Sequence, residues 1–312
     1  MSLFQPGYIK LHHSGLLAER IQEARLILSS CRLCPRACGV DRSMGQTGVC
    51  RTDRLAMVSS YGPHFGEEDP LVGRNGSGTI FFTNCNLLCL FCQNYDISHD
   101  GDGRQASSED LAALMLDLAQ RGCHNINFVT PTHVVPQILE ALPLAIENGL
   151  NVPLVYNCGG YEAVETIKLL EGVFAIYMPD FKFWDDEAGR KYCGVTDYSA
   201  RARAALVEMH RQVGDLRINP DGVAERGLLV RHLVMPDDLA GAAEISRFLA
   251  LEISPSTYFN VMGQYRPCGR AHEFPELGRS LTRGELAEAK KQAKAAGLTN
   301  LDERRRTPFN WI

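Results

Sequence analysis

The chain has 312 residues, 45% hydrophobic and 22% charged, and its 32 Lys and Arg against 37 Asp and Glu give a formal charge of −5. That length suggests one large domain or two modest ones, and the composition excludes wholesale disorder. The mild acidity gives no ground for expecting a nucleic-acid partner or a polybasic membrane anchor, and no run of 18 apolar residues is present to span a bilayer.

From Met1 to about Ser30, the charged residues Lys10, Glu19, Arg20, Glu23 and Arg25 interrupt the apolar ones. A secretory signal needs an uninterrupted apolar core, so the expected location is cytoplasmic and reducing. Eleven cysteines in such a compartment do not form a disulfide framework. Seven of them fall into two groups, Cys31, Cys34, Cys38 and Cys50 in CRLCPRACGVDRSMGQTGVC, and Cys85, Cys89 and Cys92 in CNLLCLFC. Cys123, Cys158, Cys193 and Cys268 stand alone and are expected to be small buried hydrophobes.

Residues 1–75 carry the first group among many glycines and read as an irregular segment ordered by its metal. From residue 76 the chain alternates strand-like and helix-like runs. A strand at 79–84 precedes a helix with Leu111, Leu114, Met115 and Leu118 on one face, opened by Ser107 or Ser108 and ended by Gly122. A strand at 125–130 precedes a helix carrying Val135, Ile138, Leu139 and Leu142, in which Pro143 is expected to cause a kink or break. Strands at 152–157, 173–179, 228–235 and 257–262 alternate with helices at 162–170, 200–213 and 239–251. Thr282 and Glu285 form a capping box for a final helix.

Six such units imply parallel strands with right-handed crossovers. The class is α/β. The architecture is a partial, open (β/α)6 barrel, with a flat doubly wound sheet as the alternative. The expected divisions are a Cys-rich segment at 1–75, a core at 76–265, and a terminal helix and tail at 266–312, with Trp311 packing on the barrel.

In either architecture, functional groups belong after the strand C-terminal ends. Cys85, Cys89, Phe91 and Cys92 follow the first strand, Thr130, Thr132 and His133 the second, and Asn157 with Gly159-Gly160 the third. Asp180 and Lys182 follow the fourth, His232 lies in the fifth, and Gln264 and Tyr265 end the sixth. Asp180 and Lys182 share a face, to pair with each other or to contact a ligand. Arg231 and His232 face opposite ways, so at most one meets the lumen; His232 is taken as the candidate. His133 is an alternative helix cap, and His12 and His13 read as solvated surface.

Two or three residues between cysteines let a loop wrap one metal centre. Three thiolates on a four-iron cube leave one iron open for chemistry, whereas four close a site. Bland alternatives for the group of three are a zinc loop with a distant fourth ligand, or three buried thiols. For the group of four, zinc and iron–sulfur fit the spacing equally.

The CxxxCxxC triad after the first strand, with aromatic Phe91 before its third cysteine, resembles the radical S-adenosylmethionine (SAM) superfamily. TIFFTNCNLLCLFCQNYDIS, INFVTPTHVVPQI, YMPDFKF and RGLLVRHLVMP resemble the branch related to pyruvate formate-lyase activating enzymes, over about residues 25–265. The resemblance implies that Cys85, Cys89 and Cys92 hold a [4Fe–4S] cluster whose open iron is chelated by the methionine end of SAM. One electron then cleaves the sulfonium bond, and the resulting 5′-deoxyadenosyl radical abstracts hydrogen from a substrate. It further implies a reductant such as flavodoxin or ferredoxin, a glycyl-radical protein as the nearest substrate precedent, and cofactor contacts from Phe91, Thr130, Thr132, Asn157, Asp180, Lys182 and His232.

The chain departs from those enzymes in three ways. Val129-Thr130-Pro131-Thr132 stands where they carry Gly-Gly-Glu, Gly76-Ser-Gly-Thr-Ile80 lacks their arginine, and the extra cysteines precede the triad. The alternatives are radical SAM modification of another peptide, an RNA or a small molecule, and, as the competing class, a cluster protein that carries electrons or scaffolds a complex.

Overall fold

A computed structural model describes residues 4–303; Trp311 lies outside them. Two helices open the chain, α1 (Gly7–His13) and α2 (Leu16–Leu28). Leu17, Ile21, Ala24 and Leu28 recur at helical spacing on the buried face of α2. Glu140 receives Arg25 at 2.7 Å and Arg54 at 2.8 Å, and the Tyr8 hydroxyl donates to the Val152 carbonyl. These helices share one core with the barrel. The expectation of an irregular segment through residue 75 is therefore corrected. The longest irregular stretch there is 29–55, with a single 3-10 turn at Arg42–Met44, and β1 (Ala56–His64) follows, then the short α3 (Asp69–Val72).

The remaining elements are β2 (Ser77–Phe82), β3 (Arg104–Ala106), α4 (Ser108–Gln120), β4 (Ile126–Val129), α5 (Val135–Glu147), β5 (Leu154–Cys158), α6 (Val164–Leu169), β6 (Ile176–Pro179), α7 (Asp186–Cys193), α8 (Tyr198–Val213), β7 (Arg217–Ile218), β8 (Ala224–Leu233), α9 (Ala242–Phe248), β9 (Tyr258–Met262) and α10 (Arg283–Ala295). Both expected capping boxes form, Ser107 with Asp110 on α4 and Thr282 with Glu285 on α10. Of the kink or break expected at Pro143, the break does not occur: α5 runs through it as one helix. A proline inside a helix costs about 3 kcal/mol, which the nine buried residues of this helix offset.

Six strands pair in parallel in the order β2, β4, β5, β6, β8, β9, which is also their order along the chain. A doubly wound sheet reverses its strand order part-way. This one never does, so the partial barrel holds and the flat alternative falls. β1 lies antiparallel to β2 and β3 to β1 at one edge, while β7 pairs antiparallel with β8.

Strand alternation divides the interior by parity. Ile80, Phe82, Phe128, Leu154, Tyr156, Tyr177, Leu228 and Val230 pack outward into the main core. Val155, Ile176, Met178, Leu229 and Tyr258 pack inward with Leu71 of α3, forming a small apolar cluster. Further along the same inward rows stand Asn157, Asp180 and Arg231, above an apolar floor.

Candidate functional site

A cavity of about 420 Å³ opens at the C-terminal ends of the parallel strands. Cys85, Cys89, Cys92, Phe91, Thr130, Asn157, Asp180 and Lys182 all line it, so most of the strand-end residues singled out above are brought together. Thr132 and His232 are not among its lining residues. The Thr132 hydroxyl donates to Glu162 at 2.7 Å. His232 is fully buried on the opposite face of β8, where Nδ1 meets the Phe181 carbonyl at 2.7 Å and the ring stacks on Phe259. Its neighbour Arg231 holds the lumen position instead, as the same parity requires. Gln264 lines the rim, whereas Tyr265 is buried and bonds the Leu277 carbonyl.

Arg231 organises a charged band across three strands. Its Nε donates to Asp180 at 2.7 Å, one terminal nitrogen to Asn157 Oδ1 at 2.6 Å, and the other reaches Glu67 at 3.4 Å. Lys182 Nζ takes the second Asp180 oxygen at 2.7 Å, confirming that these two residues pair. Burial alone would raise the Asp180 pKa, but Arg231 and Lys182 hold the carboxyl below its usual range. Burial opposes the charge on Lys182, yet Asp180 and the nearby Cys89 keep that amine protonated well above its usual value.

Backbone geometry fixes the rim. The Tyr198 hydroxyl accepts from the Lys182 N–H at 2.8 Å and lies 2.8 and 2.9 Å from the carbonyls of Gly159 and Asp180. Gly160 has φ +80°, and a Cβ there would collide with the Asp180 carbonyl. Thr130 carries φ +61°, a strained conformation for a β-branched residue and of a kind that concentrates at functional sites.

The triad loop runs beside the end of α7, with the Leu88 and Leu90 N–H groups donating to the Cys193 and Tyr192 carbonyls. Two donors meet the triad sulfurs: the Leu87 N–H at 3.3 Å from Cys85 and the Ser98 hydroxyl at 3.2 Å from Cys92. Cys193, fully buried as expected of a lone cysteine, also touches Cys89, Sγ to Sγ 3.3 Å. Its hydrogen bond and burial raise the Cys89 pKa well above the usual thiol value, and burial raises Cys85 and Cys92. Cys158 is another expected hydrophobe that lines the cavity.

The triad fits an iron–sulfur cluster: three free thiols share one open cavity, with hydrogen-bond donors already on two sulfurs and a lysine within electrostatic reach. Such donors favour thiolate over thiol. Among the described residues, no three His, Cys, Asp or Glu side chains stand close enough to hold a single metal ion.

The group of four also assembles. Cys31, Cys34, Cys38 and Cys50 line one small pocket with His133 and Asn86. Burial and the proximity of Cys50 and Cys31 push the Cys34 thiol up to about 12.

Residues 79–219 match the family model of the Radical SAM superfamily, and the matched stretch contains the whole triad. An uncharacterised protein of Methanocaldococcus jannaschii is 32% identical over 293 residues, spanning 91% of this chain and 80% of that one. The chain belongs to the radical SAM superfamily. Membership makes it an iron–sulfur enzyme that cleaves SAM by radical chemistry, and it implies a [4Fe–4S] cluster and SAM as cofactors.

Solved structures of other proteins are similar over most of this chain. TYW1 with a lysine–pyruvate adduct bound has a TM-score of 0.43 at 12% identity, covering 70% of this chain and 73% of that one. HydG, a maturase of the [FeFe]-hydrogenase, gives 0.48 at 13%, covering 74% and 52%. The enzyme anSMEcpe with bound AdoMet and a peptide gives 0.46 at 10%, covering 70% and 60%. No helix among the described residues is long and apolar enough to cross a membrane.

Two acidic residues at the site escaped the sequence reading. Glu162 is fully buried and accepts from Thr132 and from Tyr156, at 3.0 Å. Burial lifts its carboxyl to about 7, against the pull of those donors. Its position in Gly159-Gly-Tyr-Glu162, just past a strand end, was the available signal. Glu67 enters the charged band from the segment between β1 and β2, which no strand-end rule covers.

Proposed function

We propose that Cys85, Cys89 and Cys92 hold the catalytic [4Fe–4S] cluster and that the 420 Å³ cavity takes SAM against its open corner. The observation that carries this reading is the convergence of all three thiols with Asn157, Asp180, Lys182 and Arg231 on one cavity at the strand ends. When bound, the cluster and SAM supply one-electron cleavage of a sulfonium bond and a 5′-deoxyadenosyl radical.

The chain's own tasks follow from its geometry. With a cluster bound, the three thiols would be held as thiolates, and the Leu87 N–H and Ser98 O–H would donate to anionic sulfur, where such bonds are strongest. The band of Asp180, Arg231 and Lys182 presents both charge signs to a zwitterionic amino-acid end. The strained Thr130 turn directs a polar backbone and a hydroxyl at the same wall. The apolar floor beneath excludes water from a reactive radical.

The electron comes from a small reducing protein of the flavodoxin or ferredoxin kind. The resemblance to activating enzymes supports a polypeptide substrate, a glycyl-radical protein being the nearest case. A second thiolate centre on Cys31, Cys34, Cys38 and Cys50 orders residues 29–55 against the barrel.

The test uses anaerobically reconstituted protein with dithionite and SAM. The unaltered chain is expected to release 5′-deoxyadenosine, and Cys89→Ala to yield only background. A chain that binds and reduces a cluster yet forms no 5′-deoxyadenosine would place it with non-catalytic electron carriers. A partner captured anaerobically that gains a glycine-centred EPR signal would establish the activating role.

A further inference from the structure

The pocket of the four N-terminal cysteines holds more than a set of thiols. Arg42 is fully buried. Its Nε and one terminal nitrogen donate to the Asp53 carbonyl at 3.0 and 2.9 Å, and the other nitrogen faces Cys31 Sγ at 3.9 Å. Among the described residues it makes no ion pair with a carboxylate. Arg36 lines the same pocket, and one of its guanidinium nitrogens is buried without a partner. A third group points the same way, because His133, 1% exposed, lines the pocket with Nδ1 unpartnered while Nε2 meets the Thr83 carbonyl at 2.9 Å.

The buried guanidinium of Arg42, with the half-buried one of Arg36 beside it, would carry an uncompensated cost against neutral thiols. Four thiolates around a doubly positive centre carry two negative charges, which these two arginines balance. Charge therefore demands a metal centre without choosing one, since zinc and a [4Fe–4S]²⁺ core are equal in that respect. Space makes the choice.

Tetrahedral zinc needs its sulfurs at about 2.3 Å from one ion. Cys31, Cys34, Cys38 and Cys50 line one pocket, yet among the described residues no three His, Cys, Asp or Glu side chains stand at single-ion spacing. A cluster takes its sulfurs on separate irons and so suits a wider set.

We infer that Cys31, Cys34, Cys38 and Cys50 hold a second, coordinatively closed iron–sulfur cluster rather than zinc, beside the SAM site. This rests on the proposed metal reading of these cysteines and not on catalysis at the triad. The two centres are neighbours along the backbone, because Cys85 lines the open cavity while Asn86 lines the closed pocket. Asn86 is itself fastened to both sides: its carbonyl accepts from Arg36 Nε at 2.5 Å and its amide donates to the Tyr161 carbonyl at 2.7 Å.

The test counts iron, acid-labile sulfide and zinc in the full chain purified anaerobically after growth with ⁵⁷Fe. A Cys85→Ala/Cys89→Ala/Cys92→Ala chain is expected to keep about half the iron and sulfide of the unaltered protein, and its reduced EPR spectrum is expected not to change when SAM is added. Cys34→Ala/Cys50→Ala should lose the complementary half, while SAM still perturbs the signal that remains. Should the triple variant fail to fold, Mössbauer spectra of the unaltered chain and of Cys34→Ala/Cys50→Ala give the same subtraction. One zinc per chain without sulfide in the triple variant would overturn the inference, as would absence of any metal there. Failure of the unaltered chain to cleave SAM would strike the catalytic reading and leave these counts as they are.

Discussion

Two groups of cysteines lie on either side of the Cys85–Asn86 peptide, and their surroundings differ in kind. The triad faces a cavity of about 420 Å³ with acids and bases on its far wall. The group of four faces about 10 Å³, walled by two arginines and a histidine. Cysteine spacing alone makes both look like metal loops. The space and charge around the sulfurs show which site has room for a second molecule and which is complete in itself.

A pair of glycine substitutions breaks this contrast most sharply. Gly160→Ala drives a methyl into the Asp180 carbonyl at a positive φ and is expected to cost about 2–4 kcal/mol. It should abolish 5′-deoxyadenosine formation while leaving the N-terminal iron in place. Gly48→Ala is the mirror case, with a Cβ only 2.7 Å from Cys38 Sγ. Its expected result is loss of iron from the closed pocket with the triad's SAM-responsive EPR signal retained. If both variants lost both signals, the two sites would be one cooperative unit.

The next effect is on stability. Glu162 lies behind the cavity wall, hydrogen-bonded to Thr132 and Tyr156, and titrates near 7 in the folded chain. A raised carboxyl pKa contributes stability that is complete below the unfolded value near 4.5 and lost as pH rises to about 7. Glu162→Gln has no proton to lose there. It is expected to equal the unaltered chain at pH 4 and to exceed it by about 3 kcal/mol above pH 7, read from denaturant unfolding at each pH. A difference independent of pH would remove the ionisation argument.

The smallest effect belongs to Thr130, at φ +61°. Thr130→Gly relieves about 1 kcal/mol of left-handed strain, so unfolding should move slightly upward while SAM binding by equilibrium dialysis weakens. Unchanged SAM affinity would reduce Thr130 to a turn residue.

Much of this was legible in the sequence. The parallel strands announced themselves through hydrophobic runs, and the triad through its spacing at the first strand end. β1 is masked by Gly62 and Pro63, which are tolerated because they lie beyond the part of the strand that pairs with β3. α2 is harder to read, although Leu17, Ile21, Ala24 and Leu28 have helical spacing, because it follows α1 almost directly and lacks a side-chain cap. α7 has a strong frame, Asp185 as cap and Gly194 at φ +68°. Overlooking it hid Cys193, whose contact with Cys89 spans 104 positions along the chain. The parity of β8 was read correctly, and the wrong member of the Arg231–His232 pair was chosen. That choice turns on Asp180, which arrives from another strand. Glu162 depended on the same kind of distant meeting.

The Tyr198 hydroxyl has a mechanical consequence. One phenolic oxygen gathers the Lys182 amide with the carbonyls of Gly159 and Asp180, so the ends of β5 and β6 are riveted at a single point. Any breathing of that rim must carry both loops and their charged residues as one plate, and the open seam lies between β9 and the β3–β1 edge, where among the described residues no strand pairing closes the barrel and Asn260 meets Glu68 at 2.6 Å.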